Sequence, residues 1–421
     1  MSTPAPSPLP IRTLPVIERW DCHSCGNCCR GSIIPLDEDD LAKLRDQDWE
    51  SHPDFRSLNI IERTGVLSGS FQLARRDDGS CVFLTEEGMC RIHQDHGEQA
   101  KPLVCRMFPF QAVPLGDFAY LTTRRICPSA AADLGRPLSE HRRAATRLLR
   151  QGRLAPRSGR PPMITKRFRG DWEAFLSVTE AVQRLVGDQR YPLVRRLVHM
   201  MNFCEQLESC RPQKVKASAF NELIAMLESS ATEDDGQIFQ DRQPPKGAAP
   251  MLFRQAAAEY LRLHPGCLGT SPRSQRRHLS AAALAFVKGK GTVPELQLTF
   301  PTTTFEALER PIGMLEVEVN RPLLAYFQTT TASREYAILG RKRWALVDSC
   351  YALALTFPVA LWMLRFACGA RPPTPADTID IISCLDRGQG YAPLSGGRHR
   401  WTVGRLARSG QLARLLVWYA R

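Results

Sequence analysis

The sequence predicts a mainly α protein in which a small, irregular α+β module comes first and a helical domain follows. Three observations carry that expectation. Eight of the fourteen cysteines fall between Cys22 and Cys127, in short stretches punctuated by loop residues. From Asp171 onward, apolar residues recur at helical spacing. Between these regions runs a strongly basic stretch broken by proline and glycine. A chain of 421 residues suggests two or three domains, and 43% apolar with 24% charged residues excludes fibrous, collagenous and wholly disordered classes.

Residues 1–18 open Ser/Pro-rich, with neither the basic n-region nor the apolar h-region of a secretory signal, and are expected to be a disordered tail. A cytoplasmic location follows as the expectation. Thiols stay reduced there, so clustered cysteines point to metal or redox chemistry before structural disulfides.

Residues 19–135 form the expected cysteine module. The first run is Cys22-His-Ser-Cys25-Gly-Asn-Cys28-Cys29. Cys-x-x-Cys repeated over a glycine turn lets successive thiolates converge, as both zinc and iron–sulfur sites require. Adjacent Cys28 and Cys29 are expected to diverge, so that one serves a second centre or stands beside the first. The second run, Cys81 to Cys90, places short apolar arms about a Glu-Glu-Gly turn and predicts a small hairpin with one cysteine on each strand. Cys105 and a Cys127-Pro128 pair complete the eight. They suffice for two four-thiolate sites, or for one cluster with spare ligands, and His93 or His96 is a substitute for a thiolate. Few large apolar residues lie between Cys22 and Arg30. A metal therefore supplies the stability that such a segment lacks, on the order of ten kcal/mol for structural zinc.

The ordered set Cys22-x-x-Cys25-Gly-x-Cys28-Cys29, Cys81-x-Phe-Leu, Cys90-x-Ile and Pro102-x-x-Cys105-Arg-x-Phe-Pro-Phe110 resembles the CxxCxxCC cysteine-cluster family, also called YkgJ-type and described as zinc- or iron-chelating. The likeness covers roughly residues 20–130, with Lys101 standing where an arginine is expected. It implies Cys22, Cys25, Cys28, Cys29, Cys81, Cys90, Cys105 and Cys127 as metal ligands. By length and order of parts, the chain also resembles the flagellin lysine N-methylase branch. That resemblance implies methyl transfer from S-adenosylmethionine to lysines of a flagellin-like protein substrate, and it carries over no catalytic residue. Glu306, Glu335 and Asp348 are candidate bases that nothing singles out.

Residues 136–170 hold eleven Lys or Arg against the single acid Glu140 and read as a basic helix and linker, a solvated basic face first and a surface for an anionic partner as the alternative. Residues 171–421 are expected to be mainly helical. The stripes Trp172, Phe175, Leu176, Val182, Leu185 and Leu193, Leu197, Val198, Met201, Cys204, Leu207 are read as core faces. A sub-boundary is expected at 229–250, and further helices over 256–263, 280–288, 315–327, 335–364 and 402–419. Leu296 to Phe300 alternates like a strand up to Pro301. Tyr351 to Leu364 is the most apolar stretch, too short at that length to span a bilayer and interrupted by Pro358, so a buried, kinked helix is expected and no transmembrane segment. The six scattered cysteines are read as inert packing.

Phosphate-binding loops, Gly-x-Gly-x-x-Gly turns and the radical S-adenosylmethionine cysteine spacing are all missing. Two functions stay open: a metal-containing protein methylase, and a non-enzymatic zinc- or iron-binding module, structural or redox-sensing, that docks a partner.

Overall fold

In the computed structural model the described residues are 9–30, 33–64, 69–152, 159–233, 236–241, 243–261, 267, 272–297, 299–339, 344–388, 394 and 396–421. The chain divides into two compact units, Met1–Thr13 with Ile17–Arg157, and Leu14–Val16 with Ser158–Arg421. The first holds all the strands found among the described residues, and the second is helical. The fold is mainly α with a small α+β N-terminal part, as the sequence predicts.

Two three-stranded sheets organise the first unit. In one, β1 (Ile11–Thr13) runs parallel to β6 (Phe118–Thr123), which pairs antiparallel with β5 (Phe110–Leu115) from Phe110↔Thr123 to Leu115↔Phe118. The second is antiparallel, with β4 (Ser70–Leu73) between β2 (Pro35–Leu36) and β3 (Ile61–Thr64). Part of the segment expected as a tail is therefore ordered: Leu9 and Ile11 are buried against Ala119 and Leu121. Residues 1–8 lie outside the described residues.

Four short helices and one long one complete this unit: α1 (Glu38–Asp46), α2 (Arg91–His96), α3 (Leu103–Met107), α4 (Pro128–Ala131) and α5 (Leu138–Gln151). Asp37 caps α1 by accepting from Asp40 N at 2.8 Å. The buried Asp40 accepts from Leu103 N at 3.0 Å and so fixes the start of α3. The expected hairpin over Cys81 to Cys90 is a turn held by single bridges, Arg75↔Cys81 and Leu84↔Cys90, because the chain enters α2 directly after Cys90.

The basic helix is α5, and it belongs to the first unit, not to a connecting linker. Leu138, Ala145 and Leu149 bury one face against the β1–β6–β5 sheet, while Arg142, Arg143, Arg147 and Arg150 remain exposed. Apolar residues at i, i+7 and i+11 form this stripe, and it outweighs the charge of the opposite face.

The second unit is built around one helix. Leu346–Cys368, numbered α15 below, is buried along nearly all its length, from Leu346 to Leu364 without interruption. Its length and apolarity suit a membrane span, but 89% of its most apolar window is buried inside the unit. Pro358 lies within it and leaves one helical N–H missing. Preceding it are α6 (Trp172–Gly187), α7 (Leu193–Ser209), α8 (Ala217–Ser230), α9 (Gly236–Gln240), α10 (Ala249–Leu261), α11 (Pro272–Lys288), α12 (Phe305–Leu308), α13 (Val317–Ser333) and α14 (Glu335–Ile338). After it come α16 (Pro375–Gly388), α17 (Gly397–Arg408) and α18 (Gln411–Tyr419). Helices α7, α10, α16, α17 and α18 all pack on α15.

Two helices expected as continuous are broken. The one expected over 335–364 stops at Ile338, where Leu339 turns extended, and resumes at Leu346. The one expected over 402–419 is split by Gly410, whose φ of 68° starts a new helix. Leu296 and Gln297 are irregular instead of strand-like, with the Gln297 amide donating to Leu261 O at 3.0 Å. Leu298 lies outside the described residues. Within 229–250 the short α9 forms, and Lys246 N donates to Gln411 Oε1 at 2.8 Å, which ties that stretch to α18.

Candidate metal centre

The first cysteine run folds as a tight knuckle. Gly26 takes φ 69°, and a 3-10 turn, Asn27–Cys29, follows with Cys29 N donating to Gly26 O at 2.9 Å. This turn defeats the expected divergence of Cys28 and Cys29: their sulfurs stand 3.9 Å apart. Two thiolates on one tetrahedral ion with bonds of ~2.3 Å are separated by ~3.8 Å. The adjacent pair thus already matches one edge of a thiolate tetrahedron.

The second run docks on this knuckle through its backbone. Cys81 N donates to Cys29 O at 2.7 Å, and Arg30 bridges Ser80. A Cβ on Gly26 would meet Gly88 O at 3.0 Å and Leu84 Cδ1 at 3.1 Å, so the Glu-Glu-Gly turn closes over the knuckle only because residue 26 has no side chain. Cys90 begins α2 and Cys105 lies within α3. Cys29, Cys90 and Cys105 pack against the apolar core that contains Cys81, Phe83, Ile92 and Trp49.

Burial and neighbouring thiols favour the protonated form of Cys28, Cys81 and Cys105. Cys28 is raised by its hydrogen bond with Cys29 and then by burial. Burial pushes Cys81 up to about 11. Cys105 is raised by burial first and then by Cys81 and Cys90. Two cations oppose this: Lys101 acts on Cys28 and Cys105, and Arg76 acts on Cys81. Arg76 is oriented by donating to Val82 O at 3.0 Å. Sequence reasoning missed both cations as partners of the thiols. Their positions, five residues before Cys81 and four before Cys105, carry no periodic signal.

Cys22, Cys25 and Cys127 are not among the thiols packed on that apolar core, although the Cys25 backbone adjoins Gly88 of the covering turn. Cys22 and Cys25 are exposed, whereas Cys127 is buried and begins α4. Burial raises the Cys127 thiol, and Cys25 is near enough to raise it further. The chain around Cys22 is bound to the chain beyond Cys127 by several ties. Trp20 N donates to Arg136 O at 2.9 Å, Asp21 N to Leu134 O at 3.1 Å, and His23 Nδ1 meets Ser129 Oγ at 2.8 Å. Arg136 Nη2 pairs with Asp21 at 2.9 Å, and these hydrogen bonds hold the Asp21 carboxyl at about 2. A Cβ on Gly135 would fall 2.5 Å from Asp21 N, so only glycine allows this approach. Glu18, buried, accepts from Thr122 Oγ1 at 2.9 Å and from Thr123 N at 3.0 Å, fixing the same two segments upstream of their cysteines.

Among the eight candidate ligands, Cys28, Cys29, Cys81, Cys90 and Cys105 lie near one another, and Cys25 lies near Cys127. Among the described residues, no three His, Cys, Asp or Glu side chains converge closely enough to hold an ion as they stand. The donor chemistry, soft sulfur throughout, suits zinc or iron, and the Cys28–Cys29 edge suits a single ion. His93 and His96 are exposed on α2, and His96 packs edge-on against Trp49 with ring centroids 5.1 Å apart.

The candidate bases in the second unit have other roles. Asp348 is ion-paired with Arg400 at 2.9 Å and with Lys166 at 3.7 Å. Glu306 is exposed and accepts from Gly291 N at 3.1 Å. Glu335 is buried at the start of α14.

No solved structure matches this chain. An uncharacterized protein of Methanocaldococcus jannaschii is 30% identical over 97 residues, 22% of this chain and 30% of the relative, so the chain spans under a third of that protein's length. Residues 21–128, about a quarter of the chain and the segment carrying all eight clustered cysteines, match the family CxxCxxCC, described as "Putative zinc- or iron-chelating domain".

Proposed function

We propose that the N-terminal unit binds zinc, or the iron of a cluster, through its cysteine thiolates. In this reading Cys28 and Cys29 share one ion, and two of Cys81, Cys90 and Cys105 supply its remaining ligands. The observation that carries it is the 3.9 Å separation of the Cys28 and Cys29 sulfurs, the edge length of thiolates on one tetrahedral metal. Cys22, Cys25 and Cys127 form a second, separate set. Lys101 and Arg76 offset the negative charge that four thiolates bring to a divalent ion. Because burial favours the protonated form of Cys81 and Cys105, loading the site through them releases protons. A bound metal would supply either a structural crosslink or, with iron, electron transfer.

Anaerobic purification followed by absorbance, zinc, iron and acid-labile sulfide measurements tests this. Colourless protein with stoichiometric zinc supports the shared-ion site, and iron matched by sulfide with a broad visible band supports a cluster. Folded protein with neither metal overturns the proposal.

A finer reading rests on the order of parts. A cysteine module followed by a long helical unit supports methyl transfer from S-adenosylmethionine to lysines of a flagellin-like protein. Its test is transfer of labelled methyl to purified flagellin. The missing nucleotide-binding motifs favour instead a non-enzymatic, partner-docking metal protein. Stoichiometric metal without methyl transfer selects this second reading. The exposed arginines of α5 support an anionic partner for it.

A further inference from the structure

We propose that the outer face of α11 (Pro272–Lys288) docks the helical unit on an anionic lipid surface. This face is apolar in its middle and basic at both ends. Leu279, Leu284 and Val287 are 47%, 53% and 38% exposed, and Ala283 among them is exposed as well. Leu279, Ala283 and Val287 recur at i, i+4 and i+8, so they form one ridge about 12 Å long with Leu284 beside it. Arg273, Arg276 and Arg277 stand exposed before the ridge, and Lys288 and Lys290 stand exposed after it.

The other side of the helix holds it firmly to the unit. Ala282 and Phe286 are buried, and the Phe286 ring packs on Phe305 and Trp362 with centroids 5.1 and 6.3 Å away. Arg254 of α10 donates to Phe286 O at 2.8 Å and to Val287 O at 3.2 Å, satisfying carbonyls of the last turn. The ridge is therefore presented on a fixed helix. A single exposed leucine is ordinary, but three large apolar side chains on one outer face mark a contact surface.

Charge selects what covers it. The sequence has no acid between Glu259 and Glu295. Among the described residues, Arg273, Arg276, Arg277 and Lys288 have no carboxylate within ion-pair distance, and Lys290 has Glu306 nearby. The face is thus complementary to negative charge surrounding an apolar contact. A second copy of the chain does not fit, since either alignment of two such helices sets cations against cations. A fluid bilayer closes round a convex ridge without needing a matching groove. The ridge then enters the boundary between headgroups and acyl chains, while the flanking arginines and lysines reach lipid phosphates. This inference is independent of the metal site, and α15 stays buried in the core.

Flotation of the full-length protein with vesicles of equal parts phosphatidylcholine and phosphatidylglycerol is the test. Binding is expected, and added salt should weaken it. Vesicles of phosphatidylcholine alone should bind at least about tenfold more weakly. Leu284→Ser with Val287→Ser removes apolar contact at exposed positions and should weaken binding at least about tenfold. Arg276→Gln with Arg277→Gln should do the same. Circular dichroism checks that both variants are folded. No binding to the mixed vesicles would overturn the proposal, and capture by immobilised poly-L-glutamate in that case would give the face to an acidic protein. Equal binding to phosphatidylcholine alone, or binding unchanged in the folded Leu284→Ser, Val287→Ser variant, would overturn it too. So would a dimer in sedimentation velocity that the same variant makes monomeric.

Discussion

Cys29 joins the two halves of the proposed metal site, since its sulfur meets Cys28 and its carbonyl holds Cys81. Cys29→Ser should therefore weaken zinc binding beyond the roughly 10–100-fold that loss of an outer partner costs. Cys204→Ser, deep in the helical unit, should leave metal content unchanged, and metal analysis of the two purified variants checks both expectations. Protonation gives a second residue-scale prediction. Folding raises the Cys81 thiol from 9.0 to about 11, so between these values the metal-free folded state holds a proton that the unfolded chain has lost. Stability from this group is complete below pH 9 and is lost as pH rises through about 11. The loss reaches about 2–3 kcal/mol. Urea midpoints of metal-free protein should fall across that window, and Cys81→Ala should flatten the fall. At this scale the sequence marks the candidate ligands, because thiols at two-residue spacing have few other uses. It does not show how they divide, because that depends on contacts between segments more than fifty residues apart.

At the scale of elements, the knuckle and the turn that covers it depend on Gly26. Gly26→Ala would place a side chain at φ 69°, 3.0 Å from Gly88 O. A left-handed residue alone costs roughly 1–2 kcal/mol, so the variant should lose at least about that much stability in the first unit and retain less metal. Chemical denaturation with parallel metal analysis reads both effects. The elements legible in the sequence are those whose own periodicity decides them. Helices α6 and α7 follow their apolar stripes, and α15 is buried because it is apolar on every side. Other elements were decided by partners distant in sequence. Leu9 and Ile11 are ordered by β6 more than a hundred residues later. The basic helix α5 belongs to the first unit because three small or branched apolar residues on it find the sheet, a fact its charge conceals.

At the scale of the whole molecule, the two units differ in what holds them. The helical unit has a continuous apolar core centred on α15. The first unit has two small sheets, mostly short helices and eight cysteines in loops or short helical turns, and its proposed metal adds stability that its core does not supply. Metal that binds only the folded form stabilises by mass action, so its removal acts on the unit that holds it. Heating the loaded full-length protein with and without EDTA should move one calorimetric transition downward and leave the other in place. The unmoved transition should retain the strong helical signal of the second unit in far-ultraviolet circular dichroism. A single transition displaced as a whole would mean that the units unfold together, and no displacement at all would mean that the thiols contribute nothing to stability. The expected result follows from the distribution of side chains: the cysteines proposed to take metal all precede residue 128, and the helices α7, α10, α16, α17 and α18 that pack on α15 all follow residue 158.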